Sequence, residues 1–168
     1  MGFGTVVTAY VALGSNLGDR AANIDAAVAA LGATAGVRVA RRSSLLENPA
    51  VGGPDGSPPF LNGVVEIETT LTPHALLTRL LEIERDLGRE RRARWEPRVI
   101  DLDLIFFGDQ VIDAADLHVP HPLVHERHFV LEPLAEIAPE VVHPLWMLTV
   151  REMLADLAST SPKGRSPS

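Results

Sequence analysis

The run RWEPRVIDLDLIFFG, residues 94 to 108, sets two acidic side chains inside an otherwise apolar stretch. A strand alternates its faces, so Asp101 and Asp103 project from one side with Cα atoms roughly 7 Å apart. Ile100, Leu102, Leu104 and Phe106 then fall on the other side, while Val99, Ile105 and Phe107 share the aspartates' side. Two like charges held in parallel on a rigid strand are unfavourable if left alone. Hard oxygen ligands on a fixed support suit Mg²⁺ bound together with phosphate. Just upstream, RERRARWEPR, residues 89 to 98, carries five arginines in ten residues. Carboxylates for a metal beside guanidiniums for phosphate point to phosphoryl chemistry on a nucleotide. The plainer alternative is an acidic pair on a half-exposed strand facing water; the apolar neighbours and the arginine cluster argue against it.

Composition narrows the class. A chain of 168 residues is the size of one domain with one sizeable core, expected over residues 1 to 160, with SPKGRSPS at 161 to 168 as a disordered tail. The net charge is −7, from 15 basic and 22 acidic residues, with a single local basic cluster. Nucleic-acid binding draws on a broad positive surface, so the arginines are aimed at a small polyanion. The absence of cysteine excludes disulfides, thiolate catalysis and thiolate-ligated metals. No stretch approaches the ~18 apolar residues of a membrane span, and the N-terminus lacks signal-peptide features. The expectation is a cytoplasmic monomer with neither nucleic acid nor membrane as partner.

Along the chain, residues 5 to 13 read as a strand, 20 to 31 as a helix, 37 to 46 as a second strand and 60 to 69 as a third. The Gly- and Pro-rich segment from Asn48 to Pro59 is a long loop of the kind that often carries function. Thr72 and Pro73 cap and start a helix with Leu76, Leu80, Ile83 and Leu87 as its apolar stripe, closed by Gly88. Residues 99 to 107 form the fourth strand. The order βαββαβ predicts an α+β, ferredoxin-like core, a mainly antiparallel sheet covered by helices. Beyond it, a small hairpin over 109 to 113 and helices over 129 to 137 and 149 to 157 form a C-terminal helical extension.

Three further segments bear on chemistry. GSNLGDR, residues 14 to 20, lacks the G-K-[ST] of a phosphate loop, so Gly14 and Gly18 read as turn glycines. Phe60 and Asn62, two apart at the head of a strand, share a face: a ring on which a planar heterocycle could stack beside an amide able to read its edge, or simply core and turn residues. VPHPLVHERHF, residues 119 to 129, gathers His121, His125 and His128 with Arg127 and Phe129. Pro120 and Pro122 break any helix through His121 and no acidic ligand follows at a zinc spacing, so phosphate contact is the better reading. His125, His128 and His143 read as structural or exposed. Glu84 falls on the exposed margin of its helix, either organising the arginines that follow or making an ordinary surface pair.

Together, ALGSNLGDR, NPAVGG, FLNGVVEIET, LEIERDLGR, RWEPRVIDLDLIFFG and VPHPLVHERHFVLEPLAEIAPE resemble the 6-hydroxymethyl-7,8-dihydropterin pyrophosphokinases of folate biosynthesis over roughly residues 8 to 145. The combination RW-x-PR-x-x-D-x-D with VPH-x5-R-x-F is the specific part. The resemblance implies transfer of the terminal diphosphate of ATP to the pterin hydroxymethyl group, giving AMP and the pterin diphosphate. Asp101 and Asp103 would hold two Mg²⁺ ions on ATP. Phe60 and Phe129 would sandwich the pterin, with Asn62 and backbone groups near Asn48 and Val51 reading its edges. Arg89 and Arg98 would bind the phosphates as catalytic residues, Trp95 would help close the arginine loop, and Glu84, His121 and Arg127 would serve the nucleotide. Phe60 stands where many members carry tyrosine, keeping the stacking face without the hydroxyl. The competing readings are a metal-dependent nucleotide phosphotransferase with another acceptor, and a non-catalytic nucleotide-binding module.

Overall fold

The computed structural model describes residues 5–48, 59–88 and 99–159. Strand β1 (Val7–Ser15) leads through a turn with Gly18 at φ 74° into helix α1 (Arg20–Gly32). Asp19 caps that helix, its side chain accepting from the Ala22 amide at 3.1 Å. Strand β2 (Val37–Arg42) follows, then β3 (Leu46–Asn48), β4 (Phe60–Thr69) and helix α2 (Pro73–Gly88). Thr72 caps α2 through the Ala75 amide, 3.1 Å from its hydroxyl. Strand β5 (Asp101–Phe107) completes the sheet.

The strands lie in the order β2-β4-β1-β5 with every pairing antiparallel, and β3 also pairs β4. Strand β4 therefore sits between β1 and β2, the split arrangement expected from the element order. Two elements depart from expectation. The second strand does not run unbroken to residue 46: it stops at Arg42, because Ser43 turns inward and its hydroxyl accepts from the Val64 amide at 2.9 Å. The Ser43 amide still donates to Val64 O at 2.9 Å, but a side chain has taken the backbone carbonyl's place as acceptor, and the next strand pairing begins at Leu46. The expected hairpin at 109 to 113 is also longer. Gly108 at φ 56° turns the chain out of β5, and β6 (Ile112–Asp113) finds its partner in β7 (His118–Val119).

Each face of the sheet carries its own apolar layer. Ala9, Val11 and Leu13 of β1 pack with Val65 and Ile67 of β4 against Ile24, Ala27 and Leu31 of α1 and Leu76, Leu80 and Ile83 of α2. Tyr10, Ala12 and Val64 face the other way, against α3 (His128–Ile137) and α4 (Val150–Ser159). Thr149 and Glu152 start α4 as a reciprocal box: the Thr149 hydroxyl accepts from the Glu152 amide at 3.0 Å and the Glu152 carboxylate from the Thr149 amide at 2.8 Å. Ahead of it, His143 is buried. Its Nδ1 accepts from the Leu145 and Trp146 amides and its ring stacks on Trp146 at 4.5 Å, with burial and nearby His125 lowering its pKa.

Simple alternation fails within β5. Tyr10 pairs with Phe106 and Val11 with Leu104, so Ile105 is an extra residue forming a β-bulge. Phe106 consequently packs with Ile105 on the α3/α4 side, and Phe107 with Leu102 and Leu104 on the α1/α2 side, the reverse of the facing expected from period-two counting. The aspartates precede the bulge and keep the predicted side.

Leu131 is fully buried, whereas the Arg38–Glu68 ion pair, 2.7 Å long, leaves the arginine side chain 67% exposed. Leu131→Ala should lower unfolding free energy by about 2–5 kcal/mol and Arg38→Ala by no more than about 1 kcal/mol, as measured by urea denaturation.

Candidate active site

A cavity of about 550 Å³ opens on the α3/α4 face where β1 ends and β4 and β5 begin; its wall comprises Ala12, Gly14, Asn48, Phe60, Asn62, Asp101, Asp103, Glu126, Arg127, His128, Phe129 and Val130. Strand register explains the assembly. Asp101 lies opposite Gly14, Gly14 opposite Asn62, and Asp103 opposite Ala12, while Asn48 lies opposite Phe60. One row across the sheet thus carries a carboxylate, a glycine and an amide. A Cβ at Gly14 would lie 2.8 Å from Asn62 Nδ2 and 3.4 Å from the Phe60 ring. Gly14 is therefore a strand residue required by close side-chain approach, not the turn glycine its motif suggested.

Asn62 is 8% exposed, and its Oδ1 has no hydrogen-bond partner among the described residues. A buried carbonyl oxygen favours an N–H donor that reaches it. Across the cavity, Arg127 precedes α3 and points its guanidinium both to Asp103, 3.7 Å away, and toward the Phe129 ring, 5.7 Å from its centroid. The Asp103 side chain stays 46% exposed. Among the described residues no group of three or more His, Cys, Asp or Glu side chains could hold a metal ion. Two carboxylates on one face leave most of an octahedral oxygen shell to be filled. That donor set fits Mg²⁺ arriving with phosphate oxygens better than an ion caged by protein alone.

Seven of the expected site residues meet in this wall: Asn48, Phe60, Asn62, Asp101, Asp103, Arg127 and Phe129. Glu84 and His121 are not in it. Glu84 is half-buried, not on an exposed margin, and its Oε2 accepts from the Leu102 amide at 2.7 Å. The His121 amide donates to Ile105 O at 3.0 Å, and its Nδ1 accepts from the Leu123 amide at 3.1 Å, which puts the proton of the neutral ring on Nε2. Val51, Arg89, Trp95 and Arg98 lie outside the described residues.

Glu126 and His128, both in the wall, were not singled out for it by the sequence; only their position beside Arg127 and Phe129 hinted at it. Arg20 was missed as a support. It binds Glu47 of β3 at 2.9 Å and Pro59 O at 2.9 Å, tying together the chain on either side of residues 49 to 58. The GSNLGDR motif is held by Asn23, whose amide donates to Leu17 O at 2.8 Å and Ser15 Oγ at 3.2 Å.

An antiparallel α+β core with a carboxylate pair, two phenylalanine rings, an arginine and a buried amide around one cavity describes a small-molecule site. The model of the 7,8-dihydro-6-hydroxymethylpterin-pyrophosphokinase (HPPK) family matches residues 10–139, and the chain belongs to that family. It is 50% identical over 149 residues to the 2-amino-4-hydroxy-6-hydroxymethyldihydropteridine pyrophosphokinase of Methylorubrum extorquens, covering 89% of this chain and 92% of that protein. Identity to the Bacillus subtilis protein of the same name is 49% over 133 residues, 79% of each chain. Among solved structures, the Plasmodium falciparum HPPK-DHPS A437G protein with pteroate superposes with a TM-score of 0.75 at 16% identity, covering 100% of this chain and 46% of that one. That likeness is one of fold, and this chain spans a little under half of the longer protein.

Burial, with Arg127 adding to it, lowers the His121 pKa from 6.5 to about 4. The unfolded chain takes up this proton first, so the contribution to stability is complete above about pH 6.5 and is lost as pH falls toward about 4. The ring C–H resonances of His121 should not titrate between pH 8 and 5.5 in NMR spectra, and His121→Asn should show a shallower loss of stability than wild type between pH 6.5 and 4.

Proposed function

We propose that this protein transfers the terminal diphosphate of ATP to the hydroxymethyl group of 6-hydroxymethyl-7,8-dihydropterin, giving AMP and the pterin diphosphate. The observation that carries the reading is the cavity wall, in which Phe60, Phe129 and Asn62 stand with Asp101 and Asp103 in a chain of this family. Phe60 and Phe129 supply faces for a flat bicyclic ring. Asn62 Oδ1, without a partner among the described residues, accepts from a ring N–H or amino group at its edge, and backbone groups near Asn48 and Val51 serve the pterin's edges.

Asp101 and Asp103 would hold two Mg²⁺ ions together with ATP phosphate oxygens. When bound, the metal offsets polyphosphate charge and orients the β-phosphorus for in-line attack. The substrate hydroxyl oxygen forms its bond to that phosphorus and gives up its proton to solvent as the bond to the α-phosphate bridging oxygen breaks, and AMP leaves with that oxygen. Arg89 and Arg98 bind and stabilise the phosphates. Trp95 helps cover the site, His121 and Arg127 serve the nucleotide side, and Glu84 supports the site from α2 through the Leu102 amide. Arg127 is already drawn to Asp103, so it can follow the charge on that side of the cavity. The chain's contribution is orientation and electrostatics, and no side chain need act as a strong base.

AMP formation from ATP and Mg²⁺, assayed with and without the pterin, tests this reading. Strict pterin dependence is expected. Asp101→Ala should lower the rate by more than ~100-fold, the upper range seen for losing mere outer partners of metal ligands. Pterin-independent release of ADP or AMP would instead indicate another phosphotransfer reaction, and binding without any product a non-catalytic module. Removing one stacking face in Phe129→Ala should cost about 1–3 kcal/mol of ring binding, read as a rise in KM for the pterin with a much smaller change in KM for ATP.

A further inference from the structure

We infer that Glu84 is a positioning residue for the carboxylate pair, acting through the backbone amide that lies between the two aspartates; the inference rests on the reading of Asp101 and Asp103 as metal ligands. Among the described residues strand β5 ends the sheet order, so alternate backbone groups along its outer side have no neighbouring strand there. Two of them are taken up otherwise. The Ile105 carbonyl accepts from the His121 amide at 3.0 Å, and the Leu102 amide donates to Glu84 Oε2 at 2.7 Å. A hydrogen bond to an ionised carboxylate is short and strong relative to a neutral pair.

The position of that bond matters more than its strength. The Leu102 N–H belongs to the peptide plane that joins Asp101 to Leu102, and Leu102 itself, 6% exposed, is anchored in the core under α2. With the amide and the side chain of the middle residue both fixed, the Cα–Cβ directions of the flanking aspartates are fixed too. Glu84 is carried by a helix whose neighbouring Leu80 and Ile83 are buried against the same core, so the acceptor is itself on a rigid support. The α2 helix thereby sets the spacing of the two oxygen ligands.

This role needs an acceptor oxygen at the right reach and does not need the negative charge; a direct part in nucleotide or arginine binding needs the charge. Glu84→Gln keeps an acceptor at the same reach and removes the charge. Glu84→Asp keeps the charge and withdraws the acceptor, and Glu84→Ala removes both. Mn²⁺ binding to the full chain with a non-hydrolysable ATP analogue, followed by electron paramagnetic resonance, gives a readout independent of turnover, and AMP formation against Mg²⁺ concentration gives the second. The expected result is metal affinity weakened and half-saturating Mg²⁺ raised about 10–100-fold in Glu84→Ala and Glu84→Asp, with Glu84→Gln close to wild type and KM for the pterin little changed. Glu84→Gln as impaired as Glu84→Ala, Glu84→Asp like wild type, or Glu84→Ala like wild type would each overturn the inference. A wild-type protein that binds Mn²⁺ yet forms no AMP would sink the proposed reaction while the binding series still decides the clamp. A wild type that binds no Mn²⁺ under these conditions would overturn both.

Discussion

The structure depends on a central strand buried on both faces. Residues of β1 alternate between a layer built by α1 and α2 and a layer built by α3 and α4, and the strand makes its ladders to β4 and β5 at the same time. Burial on both sides strongly specifies register, because a slip of one residue would exchange the two apolar sets. Register in turn decides what stands beside Gly14. The side facing α3 tapers from Tyr10 through Ala12 to glycine, and the cavity begins where the side chains shrink. The pocket is thus the unfilled end of a core layer, and its polar residues are those that β4 and β5 bring to that end.

Electrostatics follow from the same placement. Among the described residues, Arg127 is a cation in the wall close to a carboxylate, and it sits immediately ahead of the helix that closes the α3 layer. It also helps keep the His121 ring neutral, so within this corner one fixed positive charge suppresses another. A neutral imidazole there offers hydrogen bonds and no charge.

Much of this was legible from residue order. The four long strands, both α/β helices and the two C-terminal helices announced themselves through period, caps and glycines, and Asp101, Asp103, Phe60 and Asn62 declared their common faces by spacing of two. What stayed hidden was non-local. Nothing in the residues around Ser43 says that its hydroxyl will replace a ladder carbonyl. Nothing around Ile105 says that β1 will skip it, because both depend on which strand lies alongside. The close approach at Gly14 is of the same kind, since it exists only once Asn62 has become its neighbour. Glu84 looked like a surface residue because the open side of β5 that it faces is assembled from sequence 18 positions away.

The ring stack at the C-terminal layer has a consequence for optical work. The chain has two tryptophans, Trp95 and Trp146. Trp146, 44% exposed, lies flat on His143 at 4.5 Å and meets the His125 ring edge-on at 4.4 Å. An indole in contact with two imidazoles is an emitter whose yield follows the packing of the segment that leads into α4. Intrinsic fluorescence of this protein therefore combines a signal from the arginine-rich segment with a second one native to the C-terminal layer, and a single-tryptophan background lacking Trp146 would isolate the first.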